Sequence, residues 1–113
     1  MAPAAAIGEH FRVVAGRSLL FDEEDFLCHV DDWSEDVAQE LAAEAGVAGL
    51  DDTQWLVLRF LREFYYDNGR SPLNRKIVEG VGMSLLELEQ LFPGGIRSGA
   101  KRLAGLPNPR RCS

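Results

Sequence analysis

The spacing of apolar positions divides the chain into a short strand-like beginning and a longer helical remainder. Phe11-Arg12-Val13-Val14 and Ser18-Leu19-Leu20-Phe21 are strand-like runs, and Ala15-Gly16-Arg17 between them supplies the glycine of a tight turn, so a β-hairpin is predicted. A lone hairpin is unstable in water, so it must lie on the helices that follow. The acidic connector Asp22-Glu23-Glu24-Asp25 leads through an irregular stretch to Trp33. Ser34 is then a good N-cap, with Glu35 and Asp36 in the first turn, where the helix dipole favours anions. Val37, Ala38, Leu41 and Ala42 share one face, and Gly46 is the expected C′ residue.

The second helix has the clearest start in the chain. Asp51 caps it, Gln54 closes a capping box, and Leu50 and Trp55 are spaced as a hydrophobic staple. The run from Trp55 to Tyr66 is apolar around most of its circumference, which predicts a buried axis ending at Asn68-Gly69. Ser71-Pro72 reads as the opening of a third helix that carries Leu73, Ile77 and Val78 inward and stops near Gly80 or Gly82. Ser84 with Glu87 is another capping box, starting a short helix with Leu85, Leu86, Leu88 and Leu91. Pro93-Gly94-Gly95 breaks it. A last, basic helix is expected over 96–104, closed by Gly105.

This pattern predicts a mainly α fold: a small helical array or bundle with an N-terminal β-hairpin and a flexible C-terminal arm, α+β by strict count. Residues 1–9 are expected as a disordered tail, 10–104 as one globular domain and 105–113 as the arm. Pro107 and Pro109 fix φ and remove backbone donors, so the arm should be extended. Eight extended residues reach at most roughly 25–30 Å.

Charge changes the picture. The formal net charge is −6, yet no acidic residue follows Glu89. From Gln90 onward Arg97, Lys101, Arg102, Arg110 and Arg111 give +5, so residues 1–89 carry −11. An acidic body with a basic end suggests steering of the arm toward an acidic docking site or RNA, with chance scatter as the plain alternative. The acidic body speaks against extended nucleic-acid binding. No apolar run is long enough to span a bilayer, and the small apolar start lacks the basic region of a signal peptide. A cytoplasmic protein with reduced cysteines is the expectation.

Candidate chemistry is sparse. Cys112, next to last in the chain, sits at the tip of the arm between Arg111 and Ser113. A thiol of ordinary pKa, about 8.5, is a few per cent thiolate at neutral pH. Arg110 and Arg111 favour the thiolate, and the terminal carboxylate opposes them. Cys28 lies among apolar residues and reads as a small buried hydrophobe. A Cys28–Cys112 disulfide is open, but nothing in the sequence requests one. His10 and His29 with two scattered cysteines make no metal spacing, and no Cys-His pair or phosphate loop is visible, so no metal and no cofactor are expected. The segment 71–92 could be a helix-turn-helix, but its second helix begins Leu85-Leu86-Glu87-Leu88-Glu89, acidic where a DNA reader needs basic or amide groups. A packing corner is the simpler reading.

Several stretches together resemble the TusE/DsrC family of sulfur-relay proteins, over roughly residues 11–113. They are Phe26-Leu27 with Trp33-Ser34, Trp55 with Arg59-Phe60-Leu61-Arg62-Glu63-Phe64-Tyr65, and Ser71-Pro72-x-x-Arg75. Leu91-Phe92-Pro93-Gly94-Gly95 and Ala104-Gly105-Leu106-Pro107-x-Pro109-x-x-Cys112 complete the series. The resemblance implies a sulfurtransferase whose Cys112 accepts a persulfide and relays it. Arg110, Arg111, Lys101, Arg102 and Arg97 would then support or dock the tip. It also implies protein partners: a donor complex of the TusBCD or DsrEFH kind, and as acceptor a tRNA thiolase or a sulfite reductase-type complex. In the TusE branch the destination is 2-thiouridine in tRNA. In the DsrC branch a second arm cysteine pairs with the penultimate one in dissimilatory sulfur metabolism. That second position falls on Lys101 here, which places the chain with single-cysteine, TusE-like members. Compared with the family pattern, the segment 78–91 is several residues shorter, Ile96 stands where a proline follows the double glycine, and Arg110-Arg111 makes the tip unusually basic. The alternatives are a DsrC-like protein of dissimilatory sulfur metabolism, a two-thiol redox module using Cys28, and a DNA-binding regulatory paralogue.

Overall fold

The chain turns back on itself at Ala15 and Gly16, both with positive φ (52° and 76°), the backbone of a two-residue hairpin turn that suits strand twist. The computed structural model describes residues 8–109. Strands β1 (His10–Val14) and β2 (Arg17–Phe21) pair antiparallel, with Arg12 opposite Leu19. The hairpin does lie on the helices: Val14, Leu19 and Phe21 are buried in the common core.

Asp22 then organises the acidic connector as a tight loop. Its Oδ1 accepts from the backbone N–H groups of Glu24 and Phe26, both at 2.9 Å. The loop folds Leu27 back against Phe21 as an isolated β-bridge. A short 3-10 turn, Val30–Asp32, precedes α1 (Glu35–Glu44), which Ser34 caps by accepting from Val37 N–H. The predicted inward face, Val37, Ala38, Leu41 and Ala42, is the buried one.

Helix α2 (Asp52–Asn68) starts with the Asp51–Gln54 capping box and ends at Gly69 in the left-handed region (φ 71°). It is not buried all round, as its apolar run suggested. Val57, Leu58 and Leu61 face the core, while Leu56 and Tyr66 are more than half exposed. A five-helix array of this size covers only one side of its longest helix. Helix α3 (Asn74–Val81) begins later than Ser71-Pro72, with Leu73 at the N-cap position and 71% exposed rather than inward. Pro72 is buried and its carbonyl is engaged elsewhere, so the proline anchors the connection instead of opening the helix. Helix α4 (Leu85–Leu91) has the predicted Ser84–Glu87 box. Only Leu88 is fully buried; Leu85 and Leu86 face outward, since a helix this short docks by a single side.

The last helix, α5 (Gly95–Lys101), starts from Gly94 and Gly95, both left-handed, and winds as a π-helix before an α-turn through Leu103. The wider turn buries Ile96, Ala100 and Leu103 together. Leu106, past the helix end, has no exposed surface and joins the same core as Leu41, Leu61 and Ile77. Burying such a side chain contributes roughly 1.5–3 kcal/mol.

Candidate functional site

Two grips hold the base of the C-terminal arm. The first closes on the end of α5. The Trp33 indole N–H donates to the Leu103 carbonyl at 2.8 Å, and Arg62 Nη1 donates to the Ala104 carbonyl at 2.9 Å. Arg62 also donates to the Val30 carbonyl and stacks over the Trp33 ring, 4.1 Å from its centroid. These groups satisfy carbonyls that a helix end leaves without partners. Gly105 has φ +72° and lies so close to the Trp33 side chain that any Cβ would overlap it. Glycine is therefore required there for both backbone and space. Partial burial lowers the Arg62 pKa, with Tyr66 and Asp31 acting in the opposite sense. Tyr66 is oriented by donating its hydroxyl to Asp31 at 2.7 Å.

The second grip lies beyond Leu106. Asn108 is buried between two prolines, and its side-chain amide donates to Asp22 Oδ2 at 3.0 Å and to Glu24 Oε2 at 2.8 Å. Its side-chain carbonyl accepts from Arg97 Nη2 at 2.8 Å, and the same guanidinium pairs with Glu24 at 3.1 Å and covers the Phe26 ring. Residues 105–109, expected as the root of a mobile arm, are thus seated on the body. Beside this grip, Glu9, Asp22, Leu27, Cys28, Pro107 and Asn108 line a cavity of about 130 Å³.

The basic residues of the last helix are spent on the body. Arg97 belongs to the Asn108 grip. Lys101 is buried, and its ammonium donates to the Pro72 carbonyl at 2.8 Å; desolvation, then Arg97, lowers its pKa. Arg102 donates to the Ser98 carbonyl, and burial is the main cause of its lowered pKa. Cys112, Arg110 and Arg111 lie outside the described residues. Cys28 is half-buried rather than sealed in the core, with its Sγ 3.8 Å from Glu9 Oε2. His10 pairs with Asp25 at 3.0 Å on the surface. Among the described residues no group of His, Cys, Asp and Glu gathers as a metal site, and no helix is long and apolar enough to cross a membrane.

The sequence reading missed Trp33, Arg62, Asp22 and Asn108 as parts of this arrangement. Two signals were available: an arginine interrupting the apolar face of α2, and an asparagine supplying the one side-chain donor between two prolines.

Fold and site together define a small α-dominant scaffold that grips the base of a cysteine-tipped C-terminal segment. The family model described as "DsrC like protein" matches residues 13–113, and the chain belongs to this TusE/DsrC family. A relative from Nitratidesulfovibrio vulgaris, "Sulfite reductase, dissimilatory-type subunit gamma", is 33% identical over 86% of this chain and 92% of its own length. The "Sulfurtransferase TusE" of Pectobacterium atrosepticum is 36% identical over 86% of this chain and 94% of its own. Among solved structures, the oxidized gamma-subunit of the dissimilatory sulfite reductase (DsrC) from Archaeoglobus fulgidus superposes with a TM-score of 0.81. It shares 31% identity, over 92% of this chain and all of that one.

Proposed function

We propose that this protein is a sulfur carrier that accepts a persulfide on Cys112 and relays it to an acceptor. The Cys112 thiolate attacks the outer sulfur of a donor persulfide, the donor's thiolate leaves, and Cys112 carries away the sulfane sulfur. A persulfide is more acidic than a thiol, so it ionises near neutral pH without a dedicated base. The observation that carries the reading is the double grip on the arm's base. Trp33, Arg62, Asp22 and Arg97 fix the chain as far as Asn108, and Cys112 follows four residues later. Such a tether spans at most roughly 13–14 Å, enough to reach into a partner's pocket while the body supplies the docking face.

The sulfurtransferase and gamma-subunit relatives support sulfur relay in general. Within it we favour 2-thiouridine synthesis in tRNA, in the cytoplasm, with a TusBCD-like donor. Lys101 occupies the place of a second arm cysteine, and its ammonium is already committed to Pro72. The dissimilatory reading remains the second one, favoured by the gamma-subunit likeness. For the DNA-binding alternative, the exposed start of α4 presents Leu85, Leu86 and Glu87, which suits neither phosphates nor base edges. The test is incubation with a persulfidated donor protein, followed by intact-mass analysis of wild type and Cys112→Ala. One added sulfur on wild type alone supports the carrier; equal loading of Cys112→Ala refutes it.

A further inference from the structure

Among the described residues every lysine and arginine has a carboxylate or carbonyl partner except Arg70 and Arg75. In a chain of net charge −6 these two unpaired guanidiniums are not scattered. Both line one cavity of about 320 Å³ where α2 gives way to α3, together with Phe64, Ser71, Leu73 and Lys76. Lys76 is tied only loosely, 3.9 Å from Glu79 on its own helix. The Ser71 hydroxyl oxygen is buried and has no hydrogen-bond partner, a state that costs stability unless another group completes it. Helix α3 opens at the same place with no side-chain cap, so no side chain takes up the donors at its start. Behind the cavity Lys101 holds the Pro72 carbonyl, which fixes the loop that carries Arg70 and Ser71. The remaining wall is apolar: the half-buried Phe64 ring, and Leu73, which is 71% exposed.

We propose that this cavity binds a nucleotide, with its phosphate on Arg70, Arg75 and the Ser71 hydroxyl and its base against Phe64 and Leu73. The proposal goes beyond the carrier reading and does not depend on it, since no cysteine lines the cavity. A guanidinium fork matches two phosphate oxygens, Lys76 adds charge, and a helix start favours an anion. Every base has a π-face to lay on an aromatic ring. An acidic peptide would use the cations but leave the Phe64 ring and Leu73 in water. The volume lies at the low end of the roughly 300–1,000 Å³ typical of small-molecule sites, so it suits one nucleotide. A duplex would also meet the acidic remainder of the body. The nucleotide arrives free or as one unit of a single-stranded RNA, and the chemistry recognised is the same.

The experiment titrates uridine 5′-monophosphate, inorganic phosphate, hexauridylate and hexaglutamate into the full reduced chain at low salt. Amide NMR shifts locate binding and calorimetry measures it. Uridine monophosphate is expected to bind more tightly than phosphate and to shift the amides of 70–76 but not those of the hairpin. Arg70→Gln/Arg75→Gln should weaken it about tenfold or more. Both side chains are exposed and unpartnered, so this variant should keep the wild-type unfolding midpoint. Ser71→Ala should lose affinity without losing stability, and Phe64→Leu should weaken the nucleotide about fivefold while binding phosphate as before. Arg59→Gln, which removes a cation outside the cavity, should bind as wild type does. Hexauridylate that binds more tightly than the monophosphate identifies RNA as the source; equal affinity identifies a free nucleotide. No binding of uridine monophosphate overturns the proposal. So does phosphate bound as tightly as the nucleotide, which is a bare anion site, or hexaglutamate that displaces the nucleotide, which is an acidic-peptide site. Equal weakening by Arg59→Gln also overturns it, because binding would then follow net charge alone.

Discussion

Asn108 donates its side-chain amide to Asp22 at 3.0 Å, joining the base of the C-terminal arm to a loop 86 residues earlier in the chain. Asp22 is doubly used, because its other oxygen holds the backbone of that loop. The arm's exit point is therefore tied to the same buried carboxylate that shapes the connector after the hairpin.

Asn108→Ala should cost about 1–3 kcal/mol, because it leaves buried Asp22 short of a donor and Arg97 short of an acceptor. Denaturant unfolding measures the loss. Asn108→Asp should cost more, since it sets a third carboxylate against Asp22 and Glu24. In both variants, hydrogen exchange at Leu106 and Asn108 should rise well before that of Leu58 and Leu61.

Gly105→Ala adds a Cβ where Trp33 already sits, at a backbone angle that L-residues rarely adopt. The expected loss is about 1–3 kcal/mol in thermal unfolding. Gly46→Ala is the control. It has φ +93° but open space around it, so it carries the backbone cost without the overlap.

Arg62→Ala should destabilise by about 2–3 kcal/mol, as the Ala104 and Val30 carbonyls lose a charged donor and Trp33 loses its stacked cation. Arg62→Lys should recover little of this, because an ammonium cannot reproduce the planar fork that serves two carbonyls and an aromatic face. Trp33 fluorescence reports the disturbance directly.

The start of α4 depends on pH. Glu87 is held below its usual value of 4.5 by the Ser84 backbone N–H, then by the Ser84 hydroxyl. With the folded pKa depressed, the unfolded state takes up protons first as pH falls. The stabilisation is complete above 4.5 and is lost as pH drops through the lower folded value. The protection factors of the α4 amides, measured against their intrinsic exchange rates, should fall as pH drops below 4.5, and Glu87→Gln should flatten that dependence.

Much of the fold was legible because its signals are local. The Ser34, Asp51 and Ser84 caps mark three helix starts, and Ala15-Gly16 marks the hairpin turn. Periodicity was a poorer guide to which apolar residues are covered: Leu56, Leu73, Leu85 and Leu86 fit helical faces but find no neighbour to bury them. Cys112 stood out because its surroundings in sequence are so particular. The gripping residues did not, since Trp33 meets Leu103 across 70 positions and Asn108 meets Asp22 across 86, and no spacing rule links them. Lys101 is expected from the sequence to support or dock the tip; only packing shows that its ammonium is turned inward to Pro72.

The central claim is that sulfur rides on Cys112. A single-turnover chase tests it most directly, with isotopically labelled sulfane sulfur loaded on the protein in the Cys28→Ser background and then offered to a thiol acceptor. The account predicts label on the Cys112 peptide that disappears as the acceptor gains it, and no label in Cys112→Ala. Label that persists on another residue, or transfer that survives Cys112→Ala, would contradict it.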